Sequence, residues 1–319
     1  MLLPAMQSPP AIVSPAPTGQ EAEGALLEAY DWGRTLPPAP KLKGLAALEY
    51  QWLRTAATFD PVQGLPASPF VTGRGWREAD ALRHLLKAPK DQIGSALKTL
   101  PIHESGTALA LWRWGQIQVR QGRFDAALRR SWEDRLLGAG PALTRGYALR
   151  HALCWALGEQ DEVRFSGIRS VADSTSEDIL KGFQRLFGLL GGPSPVLRLW
   201  ALPELEYHDL RLDQLGGTRT WICPVEDNPL PEIPAGTSWI IPSASGRLDE
   251  RDASLSEPLL NEGRALADRL QPAGRSAFFA PSRAAFEYLG LVWFPILIEL
   301  DGKGNIKAIR MGDAAPEKP

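Results

Sequence analysis

The sequence is poor in cysteine, since only Cys154 and Cys223 occur in 319 residues and they lie far apart. A disulfide scaffold and a CxxC metal or redox motif are therefore excluded. Neither sign of charge is in excess, with 35 basic and 37 acidic residues, so we predict no nucleic-acid partner and no anionic membrane surface as a ligand. No stretch of about 18 apolar residues is present, and we predict no transmembrane segment.

What the sequence does contain is typical of a globular protein: 44% apolar and 23% charged residues. Its length allows two domains of about 100–200 residues each. Prolines are frequent in residues 1–20, which we expect to form an extended, poorly ordered leader. Alternatively, Leu2–Met6 is the end of a signal peptide that begins upstream. Residues 314–319 are predicted to be a short polar tail.

Residues 21–190 are predicted to be helical. Apolar side chains recur there every three or four positions, which gives each segment one apolar face, and proline and glycine separate the segments. The pattern shows no catalytic motif and favours a binding or docking role. The helices are predicted at residues 21–35, 45–58, 76–86, 91–100, 105–121, 123–137, 142–157 and 177–190.

Within this half, Gly122 lies at a turn between two predicted helices. Gly115 and Ala127 are small residues that would allow the two helices to approach closely, and Phe124 and Trp132 would fill the flanks. This arrangement resembles a tetratricopeptide-like helix–turn–helix repeat, followed by one degenerate copy. The alternative is a generic helical bundle.

Trp112 and Trp114 lie two positions apart on one predicted helix, about 200° apart around its axis. The two rings therefore cannot share one face. One of them contacts a further layer of helices or lines a groove for a partner, where tryptophan is a favoured anchor. Trp114 is accordingly a candidate partner-binding residue.

Gly191–Pro193 separates the helical half from a stretch with strand patterns. Helix-like segments at residues 205–215, 259–270 and 283–289 alternate with the strands, so we predict an α/β domain over residues 193–313. The whole chain is then an α+β multidomain protein. The strands are predicted at residues 196–200, 220–223, 238–241, 276–280, 296–300 and 306–311, the last two as a hairpin.

Short motifs cluster near the end of the chain: Tyr288–Leu291, Phe294–Pro295, Ile298–Asp301, Gly304–Ile306 and Gly312. Together they resemble the thioredoxin-like superfamily, especially its TlpA-type branch. The resemblance implies that the Phe294–Pro295 peptide bond is cis and that the strand after it lies beside the active site. It also implies that Trp293, Phe294 and Pro295 face a partner, because this loop pairs with extended polypeptides in that family.

Val196–Ala201 is similar to the first central strand of the same family, which ends in Trp-Ala. In redox-active members a CxxC follows at a helix N-terminus, where the helix favours the thiolate. Trp200–Glu206 contains no cysteine, so dithiol–disulfide exchange is excluded at that place. We therefore predict a redox-inactive thioredoxin-like domain.

Cys223 lies in a string, Thr220–Glu226, that resembles the TxxCPxE around the peroxidatic cysteine of peroxiredoxins, where the threonine orients the thiolate. Two departures weaken the match: Gly216 stands where that family has proline, and the prolines that follow Cys223 do not suit the required helix. The alternative is that Cys223 ends a buried strand as a small apolar residue.

Glu204 and His208 are spaced by four residues on a predicted helix and could bind a cation or act as acid and base. The alternative is an ordinary solvated helix face. His151 and Cys154, spaced by three, are too few ligands for a zinc site, and core packing is expected for Cys154. No nucleotide-binding motif is present, and we predict no cofactor.

These patterns favour a non-catalytic protein that binds or assembles with protein partners through both halves. The alternative is a thiol-dependent oxidoreductase or peroxidase that uses Cys223 with Thr220. The resemblance implies a periplasmic location, and a cytoplasmic location stays open.

Overall fold

The computed structural model describes residues 18–31, 34–59, 64–65, 67–172, 176–225, 233–243, 257–273, 276–281, 286, 289–291 and 293–315. The chain divides into two compact units. The first comprises residues 1–121 and 139–144, and the second comprises residues 122–138 and 145–319. The predicted leader, up to residue 17, and most of the predicted helix at residues 283–289 lie outside the described residues.

The described residues confirm the α+β class, with nine helices followed by a mixed sheet of seven strands and a tenth helix between two of the strands. None of these helices combines the length and the apolar character that a membrane span requires. The helices are α1 Gly19–Asp31, α2 Gly44–Thr58, α3 Gly73–Leu86, α4 Lys90–Thr99, α5 Ser105–Arg120, α6 Ala126–Ala139, α7 Ala142–Gly158, α8 Glu162–Val171, α9 Glu177–Leu189 and α10 Glu257–Leu270.

The first unit is built around the packing of α2 against α5. Trp52 of α2 is almost completely buried, and its indole Nε1 donates a hydrogen bond of 3.2 Å to Oγ1 of Thr107 on α5. Gly106 lies directly against this ring, and a Cβ at that position would overlap it. The glycine therefore sets how closely α5 approaches α2.

The sheet of the second unit has the strand order β2-β1-β5-β4-β3-β6-β7. Strands β3, β4 and β5 are parallel to one another, and the other neighbouring pairs are antiparallel. The strands are β1 Val196–Leu202, β2 Glu206–Arg211, β3 Arg219–Ile222, β4 Thr237–Pro242, β5 Ala277–Ala280, β6 Ile296–Leu300 and β7 Ile306–Met311.

Alternate residues of each strand point to opposite faces of the sheet. Apolar side chains occur on both faces. Ile222 and Ile240 belong to a core cluster with side chains of α7, α8 and α9. Trp221 and Trp239, their neighbours in sequence, belong to a second cluster with side chains of α10. The helices α7–α9 therefore complete the same core as the sheet, and Gly191–Pro193 marks a change from helices to strands inside the second unit.

Two expectations about local structure are wrong, and one helix is present that the sequence analysis does not predict. The predicted helix at residues 205–215 is wrong, because the structure forms β2 there and pairs it with β1. Helix α8 was not predicted, although Asp161 caps its first turn by accepting a hydrogen bond from the Arg164 amide at 2.8 Å. The contact role expected for Ala127 is also wrong, since this residue is exposed. Phe124 and Trp132 do pack together, with ring centroids 6.5 Å apart.

Candidate functional site

The parallel strands β3, β4 and β5 end along one edge of the sheet, at Ile222, Pro242 and Ala280. Strand β6 begins at the same edge, because Ile296 lies opposite Ile222 in the antiparallel register. We call this edge the carboxyl edge. In open α/β sheets, ligands are commonly bound just beyond the carboxyl ends of the parallel strands. The carboxyl edge is therefore the candidate position for a binding site.

Cys223 follows β3 directly and lies on the carboxyl edge. Cys223 and Pro295 are each one residue beyond the Ile222–Ile296 pair, which is the last pair between β3 and β6. Its amide donates to the carbonyl of Ile240 at 3.1 Å, its Sγ lies 3.4 Å from the carbonyl oxygen of Pro224, and its side chain is half-buried against the α10 side of the sheet. Cys223 therefore lies one residue past the end of β3 and is only half-buried, whereas the alternative expected it to end a buried strand.

Thr220, the partner predicted for Cys223, lies on the other face of the sheet. Strand residues alternate in direction, so Thr220 points to the same side as Ile222, and Cys223 points to the same side as Trp221. Thr220 is completely buried, and its Oγ1 forms no hydrogen bond with the described residues. The structure therefore does not bring these two side chains together.

The loop Trp293–Pro295 leads into β6 at the carboxyl edge. Its Phe294–Pro295 peptide bond is cis, as the resemblance implies. The amide of Gly312 donates to the carbonyl oxygens of Trp293 and Pro295, each at 3.0 Å. Phe294 lies between these two residues, and neither its N–H nor its C=O forms a hydrogen bond with the described residues.

The sequence explains why Phe294 is left out of the ladder between β3 and β6. The Leu300 amide donates to the carbonyl of Thr218, and in an antiparallel ladder every second pair exchanges such bonds. The ladder pairs no residue beyond Ile222 and Ile296, and Pro224 is the residue that would have to donate to Phe294 if the alternation continued. Proline has no N–H to donate, so the ladder ends there and the carbonyl of Phe294 receives no donor from β3.

The side chains of the loop pack against aromatic and basic neighbours. Trp293 stacks on Phe183 of α9 with ring centroids 5.2 Å apart, and the Arg150 guanidinium of α7 lies 5.7 Å from the Trp293 ring centroid. Phe294 meets Phe286 edge to face at 6.4 Å. Trp293 and Phe294 are both half-buried, so part of each ring remains accessible.

A groove of about 400 Å³ lies beside Trp293. Its walls come from Trp293, Gly290 and α9, which contributes apolar or small residues and charged ones: Ile179, Gly182 and Phe183, and Asp178, Lys181 and Arg185. Gly290 has a φ of +81°, and a Cβ there would lie 2.9 Å from the carbonyl oxygen of Gly182. Glycine at this position therefore lets the loop approach the backbone of α9 closely.

The upstream part of the family resemblance requires correction. Strand β1 is second from one edge of the sheet, not central. It is antiparallel to β5, with Trp200 opposite Phe279 and Leu202 opposite Ala277, so its end at Leu202 leads away from the carboxyl edge. The missing CxxC after Trp200 therefore concerns a different place from the loop Trp293–Pro295, and the residue that follows a central strand beside this loop is Cys223.

Glu204 and His208 are not brought together as a helical pair. Glu204 lies in an exposed turn and His208 lies in β2, where its Nε2 is 3.6 Å from a carboxylate oxygen of Glu206. Within the described part of the chain, no group of three or more His, Cys, Asp or Glu side chains is arranged to hold a metal ion. The expected i, i+4 geometry fails because these residues form a turn and a strand.

Trp114 is buried in the first unit, with 5% of its surface exposed, and Trp112 is buried to the same extent. Neither ring is therefore open to a partner in this structure. Trp114 contributes to the interior of the helical unit, and it is not part of the candidate site.

The sequence did not indicate Arg150 as part of the site. Its contact with Trp293 joins residues that are distant in sequence, and no local pattern signals such a pair. The chain matches no family model, no curated protein and no solved structure.

Proposed function

We propose that the second unit is a non-catalytic binding module that takes up an extended polypeptide at the loop Trp293–Pro295. The observation that carries the proposal is the main chain of Phe294, whose N–H and C=O form no hydrogen bond with the described residues. Main-chain donors and acceptors are almost always paired with protein or water. An extended peptide supplies both partners at once by adding as a short strand.

The surroundings of Phe294 support this use. The rings of Trp293 and Phe294 are half-buried and anchored against Phe183 and Phe286, so little side-chain entropy is lost when a partner covers them. The groove beside Trp293 offers space for a side chain of the bound peptide. Main-chain pairing and a neighbouring side-chain pocket are the two components of recognition by strand addition.

The family resemblance agrees with this proposal at two points. A loop with a cis proline that pairs with extended polypeptides is what the thioredoxin-like superfamily implies, and a redox-inactive member would retain the binding without the exchange. The same resemblance favours a periplasmic location. The docking role predicted for the helical half has no support from Trp114, so we place the binding site in the second unit.

The test begins with random displayed peptides panned against the whole chain. Selected peptides are then methylated at one backbone nitrogen at a time. Because alternate amides of an extended chain face opposite sides, we expect losses of about tenfold or more in affinity at every second position. Binding without this alternation, or a failure to select any peptide, would contradict strand addition at Phe294.

Two variants locate the site on the protein. Trp293→Ala should weaken the selected peptides by about tenfold or more, because a tryptophan at the centre of an interface commonly contributes that much. The control is Trp76→Ala, which removes a tryptophan that is 43% exposed on α3 in the first unit. This change should leave the affinity unaltered, and circular dichroism checks that both variants remain folded.

A second candidate function is thiol chemistry at Cys223, favoured by its partly exposed position on the carboxyl edge, one residue beyond the last β3–β6 pair. The separation of Thr220 from Cys223 argues against a peroxiredoxin-like mechanism. Alkylation of the folded protein across a pH series distinguishes the two functions. A midpoint well below about pH 8.5 would favour the enzyme, whereas a thiol that reacts only after unfolding would exclude it.

A further inference from the structure

The geometry points to a carboxylate on the bound polypeptide, which pairs with Arg150 beside Trp293. This inference rests on the proposed function, because it assigns a ligand class to the same loop. Arg150 belongs to α7, is half-buried, and has its guanidinium 5.7 Å from the centroid of the Trp293 ring. Its Nε is buried and has no acceptor among the described residues.

The charge of Arg150 has no counter-ion in the described part of the chain. The Arg150 side chain forms no ion pair and no hydrogen bond there, and its contact is with the indole of Trp293. Cation–π contact lowers the energy of a guanidinium by about 1 kcal/mol near a surface. The cation–π contact provides no hydrogen-bond acceptor for the N–H groups of the guanidinium. When a partner covers the site and excludes water, an anion can provide such acceptors.

Neighbouring arginines of the second unit are placed differently. Arg129 on α6 donates to both carboxylate oxygens of Glu159, at 2.9 Å and 2.8 Å. Arg164 on α8 pairs with Glu133 at 3.0 Å and with Asp134 at 2.7 Å. The Nε atoms of Arg129 and Arg164 also lack an acceptor, but the fold supplies carboxylates to the ends of both guanidinium groups and supplies none to Arg150.

The charged residues beside the groove do not compensate Arg150 either. On α9, Lys181 lies 2.9 Å from Glu177 and 3.9 Å from Asp178, so these charges interact with each other. The Asp178 side chain is fully exposed and points into solvent. A peptide that covers Trp293 would thus exclude water from an unpaired guanidinium, and the complementary group is a carboxylate held by two parallel N–H donors.

Two parts of a peptide can supply that carboxylate: an Asp or Glu side chain, or the C-terminus. The selected peptides are therefore synthesised with a free and with an amidated C-terminus, and each acidic residue is changed in turn to its amide. We expect one carboxylate whose removal weakens binding by about 10- to 100-fold, as for other charged hydrogen bonds. A loss on amidation identifies the C-terminus as the carboxylate, and a loss on changing one acidic residue identifies that side chain.

The protein side is tested in the whole chain with Arg150→Gln, Arg150→Lys and Arg150→Glu. We expect Arg150→Gln to weaken the acidic peptide by the same factor as removal of its carboxylate, and Arg150→Lys to recover part of the affinity. A peptide with lysine in place of the critical acidic residue should bind Arg150→Glu better than the unchanged protein. Arg145→Gln, an exposed position on the same helix, is the matched control and should have no effect.

The outcomes distinguish a failure of the role of Arg150 from a failure of the proposed function. Peptides that bind with the alternating methylation pattern but without dependence on any carboxylate, or equally well to Arg150→Gln, would overturn the role of Arg150 and leave strand addition intact. If no peptide binds, the proposed function itself is overturned. Recovery by the charge-reversed pair shows that a loss in Arg150→Gln is not a folding defect.

Discussion

Glu133 lies at the centre of a buried, hydrogen-bonded cluster in the second unit. Its side chain is 1% exposed; Oε1 lies 2.9 Å from Nδ1 of His151, and Oε2 lies 3.0 Å from the Arg164 guanidinium. The indole of Trp155 donates to Nε2 of His151 at 3.2 Å. An indole can only donate, so Nε2 accepts and the proton of the neutral ring is on Nδ1.

Removal of this carboxylate should be severe. Glu133→Ala leaves Arg129, Arg164 and His151 with buried donors, and we expect a loss of about 3–5 kcal/mol in the free energy of unfolding. Asp134→Ala is the control on the same helix. Asp134 also pairs with Arg164, but its side chain is 56% exposed, so the expected loss is below about 1 kcal/mol. Urea unfolding measures both, and similar losses would contradict the account.

Three carboxylates of the first unit are close enough to repel one another. Glu23, Glu49 and Glu104 line a cavity of about 160 Å³ beside Trp52. Burial raises the pKa of Glu23, and the charges of Glu49 and Glu104 raise it further. The folded protein therefore holds this proton more tightly than the unfolded chain, and the contribution of Glu23 to stability falls as the pH rises above about 4.

Glu23→Gln should accordingly stabilise the protein at pH 7, by about 1–2 °C in Tm, since a like-charge contact at a helix surface costs a few tenths of a kcal/mol. The gain should shrink as the pH falls towards 4 and below, where Glu23 becomes increasingly protonated in both states. Glu28→Gln, at an exposed position of the same helix, should show no such pH dependence. A gain that is constant between pH 4 and pH 7 would refute the explanation.

The sequence predicts the surroundings of a side chain when its neighbours lie close in sequence. It does not predict contacts with residues that are distant in sequence. Cys154 was expected in the core from its apolar neighbours on one helix, and it is 3% exposed. The partner of His151, Glu133, lies on another helix, and nothing in the spacing of either residue signals the pair. Arg150 and Trp293 were missed for the same reason.

At the scale of helices and strands, six of the seven strands among the described residues could be predicted because their apolar residues alternate or form short buried runs. Strand β2 could not. It is an edge strand whose side chains are mostly polar, and it exists because its backbone pairs with β1 and Arg198 lies 3.3 Å from Asp209 across the pair. Tertiary pairing overrides the weak helical spacing of this segment.

The close approach of the Gly290 turn to α9 gives a test at this scale. Gly290→Ala places a Cβ against the carbonyl oxygen of Gly182 and requires a positive φ that alanine disfavours. We expect a loss of about 1–3 kcal/mol in the free energy of unfolding. In Gly188→Ala, on α9, the added Cβ meets nothing within 4 Å.

That control change should be neutral or stabilising, because alanine is the better helix former. Thermal or urea unfolding of the two variants is sufficient. Equal effects from Gly290→Ala and Gly188→Ala would show that the turn does not depend on close contact with α9.

For the whole molecule, the sequence predicted helices followed by a sheet, but not which helices share the core of the sheet. Leu153, Phe183 and Leu186 lie on α7 and α9 and belong to the same core cluster as Ile222 and Ile240. The compositional change at Gly191–Pro193 is real, yet it does not separate two cores. Periodicity shows that a helix has an apolar face but not which surface covers it.

Truncation tests this organisation. A fragment of residues 193–319 would expose the apolar face that α7–α9 cover, and we expect it to bind hydrophobic dyes and to unfold without a cooperative transition. A fragment of residues 122–319 retains those helices and should unfold cooperatively. The measurement is near-ultraviolet circular dichroism during thermal unfolding, and native-like, cooperative behaviour of the shorter fragment would contradict the account.

If an extended peptide lies along Phe294 on the carboxyl edge, it passes close to Cys223, which is one residue beyond the last β3–β6 pair. Cys223 can therefore be used to trap it. A selected peptide is made with a single cysteine, activated as a 2-pyridyl disulfide, at successive positions. The thiolate of Cys223 displaces thiopyridone and forms a mixed disulfide only when the two sulfurs meet. The account predicts a sharp maximum of trapping at one peptide position, absent in Cys223→Ser. Equal trapping at every position, or no more than with a small 2-pyridyl disulfide, would contradict it.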